Sequence, residues 1–147
     1  MITDFPVLVP SFAKPLLRAL TAWRRKEGVS VEGPARRLKD TAQCLAVRLN
    51  LSDSLSSEVA EESAVLEPLF RVYGKRLNGS QPSGTLLHMG YTNEQLFFVL
   101  WAQGHCGESD GSAVVNAVSK NSARLAKAFR CGKHKAMFLE NRCHVEA

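Results

Sequence analysis

The sequence predicts a mainly α protein with little strand. Three observations carry this. The apolar residues recur mostly at helical spacing, no repeat or low-complexity tract interrupts them, and only the short valine-rich stretch 113–118 reads as a strand or an extended segment. With 147 residues, 45% hydrophobic and 22% charged, the chain has the make-up of one globular domain. A domain of this size buries roughly two thirds of the surface its unfolded chain exposes, so one core suffices without staples.

The first predicted helix spans residues 12–26, with Phe12, Leu16, Leu20 and Trp23 on one face. Gly28, Gly33 and Pro34 break it. A second helix places Leu38, Ala42, Leu45 and Leu49 in one stripe, with Cys44 beside it. A third covers residues 54–77, with Leu55, Val59, Leu66, Leu69, Phe70 and Tyr73 as its apolar set. Pro68 falls inside it. An interior proline costs about 3 kcal/mol, which predicts a kink or two shorter helices.

Residues 78–90 hold Gly79, Gly84, Gly90 and Pro82 and read as a loop. The fourth helix begins with a capping box, Thr92 followed by Gln95, and with Tyr91 facing Leu96 as a hydrophobic staple. Its body, residues 96–102, is apolar nearly all round. That predicts burial on every side, with Phe97, Phe98, Leu100 and Trp101 central to the core. A last short helix covers residues 122–129 and ends at Cys131-Gly132.

The longest apolar run, residues 96–102, is far short of the ~20 residues that span a bilayer. Residues 1–10 carry Asp4 and no Lys or Arg, so they lack the basic start of a secretory signal. Net charge is +5, with basic clumps at Arg24, Arg25 and Lys26, at Arg36, Arg37 and Lys39, and from Arg124 to Lys135. These permit an acidic partner. No stacking aromatics interleave them, which favours a solvated basic surface over nucleic-acid binding.

Four cysteines, Cys44, Cys106, Cys131 and Cys143, allow two disulfides in three connectivities, among which spacing does not choose. The triplets Asn50-Leu-Ser52 and Asn78-Gly-Ser80 are glycosylation sequons, which lean with the cysteines toward an oxidising, secreted setting.

The string from Tyr91 to Cys106, Y-T-N-E-Q-L-F-F-V-L-W-A-Q-G-H-C, resembles a late helix of the neprilysin and endothelin-converting-enzyme family of zinc endopeptidases. The residues after Cys106 keep the order of that family's closing elements: Asn121-Ser122, then Ala128-Phe129-Arg130-Cys131, Met137, and Cys143-His144-Val145. Upstream, Thr41-Ala-Gln-Cys44-Leu resembles its short cysteine-bearing helix, and residues 58–73 can be laid on the next one. The resemblance implies that residues 38–147 are the helical, carboxy-terminal portion of a thermolysin-related catalytic domain. Residues 1–37 form an unassigned amino-terminal helical segment.

The resemblance further implies a Cys44–Cys143 disulfide, worth about 4 to 5 kcal/mol in the chain-entropy model. It implies an extracellular or secreted setting. In the family, the counterparts of Cys106 and Cys131 bond to upstream segments absent from this sequence. Here the two would stay free, pair together, or join a missing segment or another chain.

Peptide hydrolysis in the intact family relies on water activated by zinc. Two histidines of an H-E-x-x-H helix and a third ligand hold the metal, and the glutamate of that motif is the base. None of His88, His105, His134 and His144 is followed by Glu, and no two are four apart. Glu58 best matches the third ligand, in the family's G-E-N-x-x-D motif, and Glu62 stands where its aspartate would lie. Ser57 and Val59 depart from that motif. The plainer reading is a solvated acidic face of Glu58, Glu61 and Glu62. The family's further histidine and arginine, which serve the transition state and substrate, have no match between Cys106 and Cys131. Arg124 and Arg130 there read as surface.

The expectation is therefore a truncated or degenerate metalloendopeptidase with no catalytic residue and no zinc bound, inactive as this chain. One alternative is a secreted non-catalytic relative that binds a peptide or protein, favoured by the short interval between Cys106 and Cys131. Another is a small basic nucleic-acid-binding module with a structural zinc on Cys131, His134, Cys143 and His144, whose spacing matches no finger pattern. His105 beside Cys106 suggests a catalytic dyad only by adjacency. A histidine favoured at the carboxy end of a buried helix is the simpler reading.

Overall fold

The computed structural model describes residues 32–80 and 90–145. The expected helix at 12–26 lies outside them. The described residues form five helices and no strand: α1 Glu32–Leu49, α2 Asp53–Ser80, α3 Asn93–Gln103, α4 Gly111–Asn121 and α5 Ala123–Ala128. Mainly α is thus the observed class.

α1 starts before Pro34 rather than after it. In the first turn a backbone N–H has no helical partner to lose, so Gly33 and Pro34 are accommodated there. Glu32 at its start and Arg48 in its last turn suit the helix dipole. Its end is a Schellman turn. Asn50 takes φ 52°, and the Leu51 N–H reaches back to the Ala46 carbonyl at 3.1 Å. Asn50, the acceptor of the first sequon, is exposed on that turn.

α2 opens with Ser52, whose hydroxyl accepts from the Leu55 N–H at 3.4 Å. It then runs as one helix through Pro68 to Ser80. Two shorter helices do not form. Leu66, Phe70 and Tyr73 are buried on both sides of the proline, and each contributes about 1.5–3 kcal/mol, which outweighs the local cost. The expected loop from residue 78 is corrected for the same helix, since Asn78, Gly79 and Ser80 complete it.

The capping box of α3 is present on both sides. Thr92 Oγ1 accepts from the Gln95 N–H at 3.2 Å, and Gln95 Oε1 accepts from the Thr92 N–H at 2.9 Å. Gln95 also donates to the Ala128 carbonyl at 2.9 Å, which holds α5 to α3. Burial is one-sided, however. Phe97, Phe98 and Trp101 are buried, whereas Val99 and Leu100 are half-buried, so the other described helices enclose only part of α3.

The extended segment expected at 113–118 is instead part of α4. Val114, Ala117, Val118 and Asn121 fall at helical spacing on one buried face, and that burial overrides the modest β preference of valine. α5 is capped by Ser122, whose hydroxyl accepts from the Leu125 N–H at 3.2 Å.

The core joins α1, α2 and α4 to the aromatic side of α3. Phe70 stacks on Phe98 at 5.1 Å and meets Phe97 edge-on at 5.3 Å, while Tyr73 lies against Phe97 at 5.1 Å. After α5 the chain returns across α4 to α1. Asn121 donates from Nδ2 to the Cys143 carbonyl at 3.0 Å and accepts from the Cys143 N–H at 2.7 Å, giving the extended tail a strand-like partner. Thr41 donates from Oγ1 to the His144 carbonyl at 3.0 Å. Cys44 and Cys143 form a disulfide there, across a sequence separation of 99.

Candidate functional site

α2 places Glu58 and Glu62 one turn apart, as a four-residue spacing on a helix requires. Their environments differ. Glu58 and Glu61 are half-buried, but Glu62 is 2% exposed, so the solvated acidic face expected of the three does not include it. A buried carboxylate is tolerated only when donors surround it. Trp101 supplies one, its indole N–H donating to Glu62 Oε1 at 2.7 Å. His105 Nε2 stands 3.4 Å from the same oxygen.

His105 follows the carboxy end of α3 and, past Gly104, its ring lies against Trp101, centroids 5.5 Å apart. It is 8% exposed. Its other nitrogen, Nδ1, lies 2.7 Å from Glu108 Oε2, and Glu108 is half in solvent. A ring that donates to both carboxylates carries protons on both nitrogens, whereas a neutral ring serves only one of them. The turn that brings Glu108 round is tight. It passes through Gly107 at φ 88° and closes on Gly111, where a Cβ would lie 2.3 Å from the His105 carbonyl oxygen.

Beside this pair lies an open recess of about 350 Å³, lined by His105, Cys106, Glu108 and Ser112 among others. Cys106 is exposed and its thiol is free; Cys131 is half-buried and also free. Both imidazole nitrogens of His105 face carboxylates, Glu108 at Nδ1 and Glu62 at Nε2, rather than the neighbouring thiol.

Glu58, matched to the family's third zinc ligand, and Glu62, matched to its neighbouring carboxylate, therefore share α2 without sharing a role. Among the described residues no group of three or more His, Cys, Asp or Glu is placed to hold a metal. At Glu62 the Oε1 atom already accepts from the Trp101 indole N–H, and at His105 the Nδ1 atom already faces Glu108. The described residues do not fit zinc on their own. The zinc-module alternative fails separately, since Cys143 is bonded to Cys44 and offers no thiolate.

Sequence reasoning names Asn121 only within the Asn121-Ser122 element and misses its bonds to Cys143, as it misses the Glu62–Trp101 bond. The resemblance points to Asn121 but not to its partner. Nothing in the spacing of residues 62 and 101 marks the latter bond. Of the other sequence candidates, the Asn78 side chain lies outside what is described, and Arg124 is an exposed residue held by Glu67 at 2.8 Å over the Phe70 ring.

Compared with models of known families, with curated proteins and with solved structures, the chain matches none. Among the described residues no helix is long and apolar enough to cross a membrane.

Proposed function

We propose that this chain is the carboxy-terminal helical scaffold of a neprilysin-type zinc endopeptidase, and that by itself it does not hydrolyse peptides. The observation that carries the reading is the Cys44–Cys143 disulfide, the pairing that the resemblance implies where spacing alone left three connectivities open. The run from Tyr91 to Cys106 and the ordered elements after it add to this. So does the position of Glu58 and Glu62 one turn apart on α2.

Intact family members need a metal-bound water, a base and an oxyanion-stabilising group. This sequence has no H-E-x-x-H. Glu62 acts as an internal anchor for α3 instead, accepting from Trp101. Zinc would have to be held jointly by Glu58 and a histidine pair from elsewhere.

The test is zinc content and peptide turnover on the purified chain, with fluorogenic peptides and added zinc. The expected result is neither tightly held zinc nor cleavage. Stoichiometric zinc with chelator-sensitive turnover would overturn the proposal. An in-frame H-E-x-x-H encoded just before Met1 would identify the chain as part of an enzyme. Its absence, together with peptide binding that leaves the peptide uncut, would favour the secreted binding relative, a reading supported by the short interval between Cys106 and Cys131.

A further inference from the structure

Between Asp110 and Glu140 the sequence holds no carboxylate, yet it holds Lys120, Arg124, Lys127, Arg130, Lys133 and Lys135. Most of these lie on α5 and the turns after it. Lys127, Arg130, Lys133 and Lys135 are all exposed, with His134 among them. Arg124 is tied to Glu67 at 2.8 Å. Among the described residues no carboxylate is paired with the other four.

The backbone is built to hold this display. α5 ends in a Schellman turn in which Arg130, a non-glycine residue, takes φ 52° and the Cys131 N–H bonds to the Ala126 carbonyl at 2.8 Å. A left-handed conformation at a residue with a Cβ costs about 1–2 kcal/mol, and here it ends α5 just before the segment that carries Lys133 and Lys135. The Lys135 N–H bonds to the Gly132 carbonyl at 3.0 Å and fixes the next turn.

We propose that this surface binds a sulfated polysaccharide of the heparin class. Four exposed cations close together in the chain, none paired with a carboxylate among the described residues, attract a linear polyanion and release its counterions. Other polyanions fit less well. Single-stranded nucleic acid needs exposed rings for stacking, whereas Phe129 and Phe138, the aromatic residues of this stretch, are half-buried, Phe129 packing 6.5 Å from Phe98 and Phe138 lying under the Arg142 guanidinium. α5 has six residues, about 9 Å of helix, too short to read a major groove. A membrane surface needs apolar side chains to insert, and among the described residues the exposed large hydrophobic ones, Val47, Val72 and Tyr91, lie on other elements. A disulfide also belongs to oxidising surroundings, where sulfated glycans are met and the anionic cytoplasmic leaflet is not.

The test is calorimetric titration of the full chain with a heparin oligosaccharide, beside desulfated heparin, duplex DNA and phosphatidylserine vesicles, at several salt concentrations. The expected result is binding to heparin alone at physiological salt, with an affinity that falls as salt rises. The triple variant K127E/K133E/K135E should bind at least tenfold more weakly. R36E/R37E/K39E, which changes net charge equally on α1, should bind as the parent does. Circular dichroism and disulfide mapping establish that both variants fold. Equal losses in the two variants would reduce the effect to net charge and overturn the proposal. Tighter binding to DNA or vesicles than to heparin would overturn it as well.

Discussion

Removing the Cys44–Cys143 bond by Cys44→Ala with Cys143→Ala tests how the helices are held together. The bond closes a loop with a sequence separation of 99. In the chain-entropy model a loop of about 100 residues limits the unfolded chain by about 4.7 kcal/mol. The native state offsets little of this, because it gains little freedom when the bond is cut. Asn121 still bonds both backbone groups of Cys143, and Thr41 still donates to the His144 carbonyl, so the tail stays docked without its covalent tie. A loss of about 3–5 kcal/mol is therefore expected, a large part of the 5–15 kcal/mol typical of a domain. With an unfolding entropy near 2.1 cal/mol/K per residue, this lowers Tm by roughly 10–16 °C. The assay is thermal and urea unfolding of the variant, with Cys106→Ala and Cys131→Ala as controls expected to stay within about 3 °C of the parent. A double variant as stable as those controls would refute the claim that the tail is a structural tie. So would peptide mapping that finds Cys44 bonded to Cys106 or Cys131.

Trp101→Phe removes the donor to the buried Glu62 carboxylate and should cost about 3–5 kcal/mol, combining the lost charge-assisted bond with a cavity. Glu62→Gln keeps an acceptor and should cost less; equal urea midpoints for the two variants would contradict the anchoring role. Gly111→Ala forces a Cβ onto the His105 carbonyl and should destabilise by about 1–3 kcal/mol in thermal melts, whereas parent-like stability would mean the 104–111 turn yields. Burial pushes the Tyr73 phenol above its ordinary 10.0. The folded chain thus favours the neutral form. Its contribution is complete below pH ~10, where the unfolded tyrosine begins to ionise, and is lost as pH rises through the folded value. Tyr73→Phe should flatten this alkaline fall in a series of urea midpoints, and identical profiles for parent and variant would count against it.

The sequence is most legible where one local signal acts alone. Thr92 and Gln95 announce the start of α3, and the stripe of Leu38, Ala42, Leu45 and Leu49 announces α1. It misleads where two signals compete. Pro68 speaks for a break, but the apolar residues on both sides need the same core, and burial wins. Valines at 114, 115 and 118 speak for strand, while the buried face formed by Val114, Ala117, Val118 and Asn121 has the helical period. α3 reads as apolar all round, and yet the fold covers one side more than the other. The Glu62 site is least legible. Trp101 and His105 lie 39 and 43 positions from Glu62 and meet it only because α3 crosses α2. No spacing rule reports such a meeting.

The sulfur bridge also has a mechanical consequence. Cys44 and Cys143 stand near opposite ends of the described chain with Cα atoms 5.9 Å apart. Tension applied through the first turns of α1 and the carboxy tail crosses from one arm of the load path to the other at that point. α2 through α5 hang inside the closed loop and bear none of it. Stretched in oxidising buffer, the molecule should lengthen only by what lies outside the bridge, and its helices should extend only once a reductant has cut the link.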